Sequence, residues 1–216
     1  MSIVHHPDDE LLWAYAAGAG EPAASLLIAT HLTYCPKCRA EVSISEAVAG
    51  QLLHDLPPES LDARALESVL ARLDAATVAK PASGAAVKIA HAMPRPLRAF
   101  VGDDLDRVRW QRVTPGLSYR MLMRGRRARV YLTKSRPGTG IGLHTHHGNE
   151  LTLVLSGGFT DEMGSYGVGD IVLTTPAINH TPIADDDGDC ITLAMTDAPL
   201  KFKNVGAGLI ARIFGF

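Results

Sequence analysis

Three cysteines stand in 216 residues, and two of them share a single C-x-x-C. That is too few for the disulfide framework of a small extracellular domain. No apolar run approaches the roughly 20 residues that a membrane helix needs. The opening M-S-I-V-H-H-P-D-D-E has neither the basic nor the apolar stretch of a signal peptide. The expected location is therefore cytoplasmic, and a C-x-x-C in a reducing compartment points to metal or redox chemistry. Basic excess is missing as well: 21 Lys and Arg face 23 Asp and Glu, so no general positive field attracts nucleic acid. There is no internal repeat and no low-complexity tract. What is present, 46% hydrophobic and 20% charged residues, is the balance of a soluble globular chain. Its length suits one large domain or two small ones.

The first 76 residues read as helices. Pro7 with Asp8, Asp9 and Glu10 makes a helix start, with acids near the positive end of the dipole. Leu11, Leu12 and Tyr15 form its apolar face, and Gly18 to Gly20 stop it. A second helix is expected from Pro22 to Tyr34 and a third from Pro36 to His54, the latter with Ile44, Val48 and Leu52 on one stripe. Pro57 and Pro58 end it, and Ser60 caps a fourth. Leu66, Val69, Leu70 and Leu73 then fall at i, i+3, i+4 and i+7. This stripe serves either the bundle's own core or a partner, because periodicity does not separate the two. Trp13 is expected to pack.

Residues 77–87 are small, polar and marked by Pro and Gly, as in a linker. From residue 88 the helical period gives way to short β-like runs at 107–113, 117–123, 128–134, 151–155, 171–174 and 191–195. Turn residues separate them, which predicts an antiparallel sandwich or barrel over 88–216. Cys190 and Met195 read as core, and Asp185 to Asp187 as a solvated turn.

Two groups of residues carry chemistry. In H-L-T-Y-C-P-K-C, His31 and Cys35 lie four apart on one helix face, and Cys38 follows one turn later. Tetrahedral zinc needs a fourth ligand. His6 supplies it from the upstream extended segment, with His5 as the alternative. A bundle of this size has a thin core that a structural zinc would reinforce. Redox chemistry fits less well, since a thioredoxin-like C-x-x-C follows a strand and this one joins two helices. Unligated buried cysteines are the remaining reading. The second group lies in G-L-H-T-H-H-G-N-E, where His144, His146 and Glu150 share strand parity and His147 does not. His180 follows Pro176 by four residues. Three imidazoles and a carboxylate suit zinc or another divalent first-row metal. The plain alternative is a His-rich polar loop.

The His-x3-Cys-x2-Cys with an upstream histidine resembles the zinc-binding anti-sigma domain. In that family a helical bundle and a mobile fourth helix clamp an extracytoplasmic-function sigma factor. The second group resembles the cupin, an antiparallel β-barrel with two metal motifs. Gly138, His144, His146, Glu150 and Gly157 match its first motif, and Pro176 and His180 match its second. The second motif departs at Ile178 and Ala184, where a glycine and an asparagine are usual. Joined in one chain, the two halves resemble ChrR-type anti-sigma factors. That resemblance implies a four-helix zinc-stabilised anti-sigma domain at 1–76 and a cupin at 88–216. It implies inhibition of a sigma factor and its release on singlet oxygen or related oxidants sensed through the cupin. It implies no enzymatic activity, no direct DNA binding and no membrane association. The contrasting readings are a metal-dependent cupin dioxygenase with a helical appendage and a helix-based DNA-binding regulator.

Overall fold

The computed structural model describes residues 3–75 and 93–202, so the expected linker at 77–87 lies outside the described residues. After an extended start come α1 (Asp9–Ala16), α2 (Pro22–Tyr34), α3 (Pro36–His54) and α4 (Ala65–Ala75). Each boundary has a local cause. The Asp8 carboxylate accepts from the Leu11 N–H at 2.8 Å and caps α1. Glu21 does the same for α2 by accepting from Ala23 and Ala24. Pro22 and Pro36 occupy first-turn positions, where a missing N–H costs nothing. The fourth helix begins five residues later than Ser60, at Ala65. Asp62 makes its entry, accepting the Arg64 N–H on its carboxylate and the Ala65 N–H on its carbonyl. A fifth, one-turn helix, α5 (Arg98–Val101), leads into the strands.

The strands are β1 (Gln111–Arg112), β2 (Leu117–Arg124), β3 (Arg129–Ser135), β4 (His144–His146), β5 (Glu150–Ser156) and β6 (Gly158–Asp161). They continue with β7 (Gly164–Gly167), β8 (Ile171–Thr174), β9 (Ile183–Ala184), β10 (Cys190–Thr196) and β11 (Leu200–Phe202). All pairings are antiparallel. They make a six-stranded sheet ordered β1-β2-β3-β10-β5-β8, a three-stranded sheet β7-β6-β9 and a pair β11-β4. The expected antiparallel β architecture is built, among the described residues, from three sheets with no continuous ring of pairing. Most of the expected 107–113 run is not strand. Residues 105–107 form a 3-10 turn, and only Gln111 and Arg112 pair. The short strands β4, β6, β7, β9 and β11 carry too few alternating residues to stand out in sequence.

The large sheet is buried on both faces, which is why β10, C-I-T-L-A-M-T, is buried throughout. Strand alternation sorts its side chains. One face offers Val130, Leu132, Leu151, Leu153, Leu155, Ile191, Leu193 and Met195. These join Leu12, Leu27, Ile28, Cys35, Cys38 and Val42 from the helices in a single apolar cluster. The helix α2 packs on β5 and β10. The opposite face offers Tyr131, Thr133, Glu150, Thr152 and Thr192, which line a cavity with His144 and His180. Cys190 and Met195 are buried, as expected. Trp13 is not: it is 62% exposed. The C-terminal part of α3 and all of α4 stand away from this core, and the stripe residues Ile44, Val48, Leu52, Leu66 and Leu73 are each at least 60% exposed.

Candidate metal centres

At the N-terminal centre, the one-residue junction between two helices does the positioning. Cys35 ends α2 and caps α3, and its sulfur accepts the Cys38 N–H at 3.4 Å. His31, one turn before the end of α2, is fully buried beside it. His6 comes in from the extended start, with Nδ1 at 3.5 Å from Cys35 Sγ and 3.4 Å from Cys38 Sγ. Zinc–sulfur and zinc–nitrogen bonds of about 2.3 and 2.05 Å at a tetrahedral angle give an N···S edge of about 3.6 Å. The candidate ligand atoms of His6, His31, Cys35 and Cys38 all lie within 4.8 Å of one another. His5 faces elsewhere: its ring lies on Tyr166, with centroids 4.6 Å apart.

The protonation chemistry fits a cation. His31 Nδ1 donates to the Gly169 carbonyl at 2.8 Å, which leaves Nε2 as a lone pair with no hydrogen-bond partner among the described residues. A buried imidazole nitrogen without a partner is costly unless an ion takes it. Burial lowers the pKa of His31, so the ring is neutral, and burial likewise lowers that of His6. Burial, reinforced by the neighbouring Cys35 thiol, pushes the Cys38 thiol up to about 12. Thiolate at this position therefore calls for a compensating positive charge.

The second centre is assembled from distant pieces. His144 and His146 lie on β4, and Glu150 opens β5. His180 joins through an antiparallel bridge in which His144 and His180 exchange backbone N–H···O=C bonds at 3.1 Å. All four are buried, and their ligand atoms too lie within 4.8 Å of one another. His146 Nε2 is 3.3 Å from His180 Nε2 and 3.5 Å from Glu150 Oε2. Burial and the neighbouring histidine depress His144 to about 4 and His146 to about 3. Both are thus neutral donors for a metal at pH 7. Burial raises the pKa of Glu150, opposed by the hydrogen bond from Tyr131. His147 is exposed, as its parity predicts.

Three supporting residues escaped the sequence reading. Tyr131 donates its hydroxyl to Glu150 Oε1 at 2.8 Å. Asp161 Oδ2 accepts from His180 Nδ1 at 2.9 Å, which holds the ring with Nε2 toward the other ligands. Asp170 takes backbone N–H groups from the start of the chain. Tyr131 and Asp161 lie 19 residues from their partners and Asp170 more than 160 from its own. No short-range spacing announces them.

Residues 100–198 match the family model described as the ChrR cupin-like domain. The chain is 41% identical over 214 residues to anti-sigma-E factor ChrR of Cereibacter sphaeroides, covering 99% of each chain. It is also similar to ChrR in the crystal structure of Rhodobacter sphaeroides SigE in complex with the anti-sigma ChrR. That match has a TM-score of 0.78 and 40% identity, and covers 91% of this chain and all of the other. With near-complete coverage at this identity, together with the cupin fold behind four N-terminal helices, the chain belongs to the ChrR family of anti-sigma factors.

Proposed function

We propose that this protein binds and inhibits an extracytoplasmic-function sigma factor and releases it on an oxidative signal, singlet oxygen or a related oxidant, received by the cupin half. The observation that carries the binding reading is the unpacked stripe on α4. Leu66, Val69, Leu70 and Leu73 are 69, 51, 49 and 64% exposed, and Ile44, Val48 and Leu52 on α3 are similarly bare. Two exposed apolar helix stripes mark a protein partner. The related ChrR is seen with SigE, so a sigma factor is the partner that fits. In this reading 1–76 is the sigma-binding unit, 77–87 the connection and 88–216 the sensing unit.

His6, His31, Cys35 and Cys38 hold zinc in this reading, and His144, His146, Glu150 and His180 hold zinc or another divalent first-row metal. Joint ligation by His6, His31, Cys35 and Cys38 would tie the extended start to the α2–α3 junction and so steady the presentation of α3. The second ion would supply a Lewis-acidic centre beside the cavity. A coupling of about 2–3 kcal/mol between the two halves would change sigma occupancy tens of fold or more. Membership of an anti-sigma family favours regulation over the dioxygenase reading. None of the described helices is long and apolar enough to span a membrane, which accords with a cytoplasmic site of action.

The test is co-expression of the full chain with an extracytoplasmic-function sigma factor, followed by affinity capture and transcription from a sigma-dependent promoter. A stable complex that silences transcription, and that the double substitution Leu66→Glu with Leu70→Glu abolishes, supports the proposal. Unimpeded transcription with saturating, zinc-loaded protein would refute it.

A further inference from the structure

The N-terminal centre is built partly by the cupin half. The turn between β7 and β8, with the first residue of β8, reaches across to it at three points. The Gly169 carbonyl receives His31 Nδ1 at 2.8 Å in a buried bond. Asp170 Oδ1 receives the N–H groups of Val4 at 2.7 Å and His5 at 2.9 Å. The Ile171 N–H donates to the His5 carbonyl at 3.2 Å. The residue immediately after this pinned dipeptide is His6.

The turn is shaped for that contact. Gly169 has φ of +91°, and a Cβ there would lie 2.7 Å from Ile3 Cδ1 and 3.1 Å from Tyr34 Cβ. Only glycine lets the start of the chain and the end of α2 close over this backbone. Asp170 is 6% exposed, and its other oxygen accepts the Gly167 N–H at 2.9 Å, so the carboxylate is held by its own turn before it holds anything else. The turn is in turn fastened to β5, where Val154 exchanges backbone bonds with Gly169 and Asp170 at 2.9 and 3.0 Å. Glu150 of the second centre stands on that same strand.

An extended segment with no secondary structure of its own has no internal reason to hold one conformation. His6 is nonetheless aimed at two sulfurs, and the only side chain that receives the backbone N–H groups of the residues preceding it, among the described contacts, is Asp170. We infer that Asp170 is a positioning residue for the N-terminal metal centre: it holds His6 in place from the cupin half, while Gly169 sets the tautomer of His31. The inference rests on the reading of His6, His31, Cys35 and Cys38 as metal ligands. It makes retention of that metal depend on docking of the cupin half, which links the two centres through one turn and one strand.

The experiment uses the full chain loaded with cobalt(II). Thiolate-to-cobalt charge-transfer absorption then reports the Cys35 and Cys38 centre alone, because the other ligand set is nitrogen and oxygen. Release into excess EDTA is followed at that band, and total metal release is followed with a chromophoric chelator. Asp170→Ala is expected to speed loss of the band about tenfold or more, the usual scale for removing a group that orients a ligand. Val4→Pro deletes one donated N–H at a residue whose side chain is 67% exposed, and should speed it several-fold without touching either core. Asp170→Asn, which keeps Oδ1 as acceptor, should lie closer to the parent than Asp170→Ala. Parent-like release in Val4→Pro and in any folded Asp170→Ala overturns the inference. So does an equal acceleration of release from both centres, the mark of general loosening. If the parent chain shows no thiolate band, the metal reading itself falls and takes the inference with it.

Discussion

The hydroxyl of Tyr131 donates to Oε1 of Glu150 at 2.8 Å, on the inner face of the large sheet where both side chains are buried. The bond leaves Oε2 turned toward His146. It also favours the ionised carboxylate against the burial that opposes it. Tyr131→Phe strips that donor and leaves a buried oxygen short of a partner, at a cost of about 1–3 kcal/mol. On the proposed reading, affinity of the cupin site for a divalent metal should fall about tenfold by calorimetric titration, while metal binding at the Cys35 and Cys38 site is kept.

Asp161 acts on the other side of the same centre. Asp161→Ala frees the His180 ring to rotate and should weaken metal binding there about 10–100-fold. Asp161→Asn, still able to accept from Nδ1, should weaken it less. Equilibrium competition with a chelator of known affinity separates the two variants.

The two thiols are expected to be indispensable for the first centre. Cys35→Ala with Cys38→Ala should lower bound zinc by one equivalent per chain by elemental analysis. Sigma capture should fall with it. Zinc content and sigma inhibition that both survive this double change would remove the proposed role of the motif.

Acid should destabilise the metal-free protein in a defined window. His144 and His146 have folded-state pKa values of about 4 and 3, below the unfolded value near 6.5. Between these values the unfolded chain binds more protons, so stability is complete above about pH 6.5 and is lost as pH falls toward 3. Denaturant midpoints of EDTA-treated protein, measured from pH 7 to 4, should decline through this range. His144→Gln should flatten the decline.

The α4 stripe should matter to binding and not to folding. Leu66→Ser and Leu73→Ser alter residues that are 69 and 64% exposed, so each should change unfolding free energy by no more than about 0.5 kcal/mol. Each should nevertheless weaken sigma capture measurably, because apolar anchors dominate such interfaces.

Much of this organisation was legible in the chain. Proline and apolar periodicity located α2 and α3, and the six β-like runs corresponded to β2, β3, β5, β8 and β10 with one run mostly in turn. His31, Cys35 and Cys38 fall within eight residues, and His144, His146 and Glu150 within seven, so short connections already keep each set close, although Glu150 opens a different strand from His144 and His146. The short strands and the late start of α4 were not legible. Two to four residues carry no period, and a serine before a helix competes with every other side chain able to cap it.

Local spacing determined two ligand-rich motifs, a helical half and a β half, because side-chain direction relative to one's own backbone is a short-range property. Tertiary structure decided the rest. It brought His6, and not His5, beside the two cysteines, with the preceding Val4 and His5 N–H groups bonded to Asp170. It carried His180 to His144 through a bridge across 36 residues. It left α3 and α4 uncovered where periodicity showed only that they have an apolar face. Which surface covers a face, and which distant backbone steadies a ligand, depends on packing between elements far apart in sequence, and no local pattern encodes it.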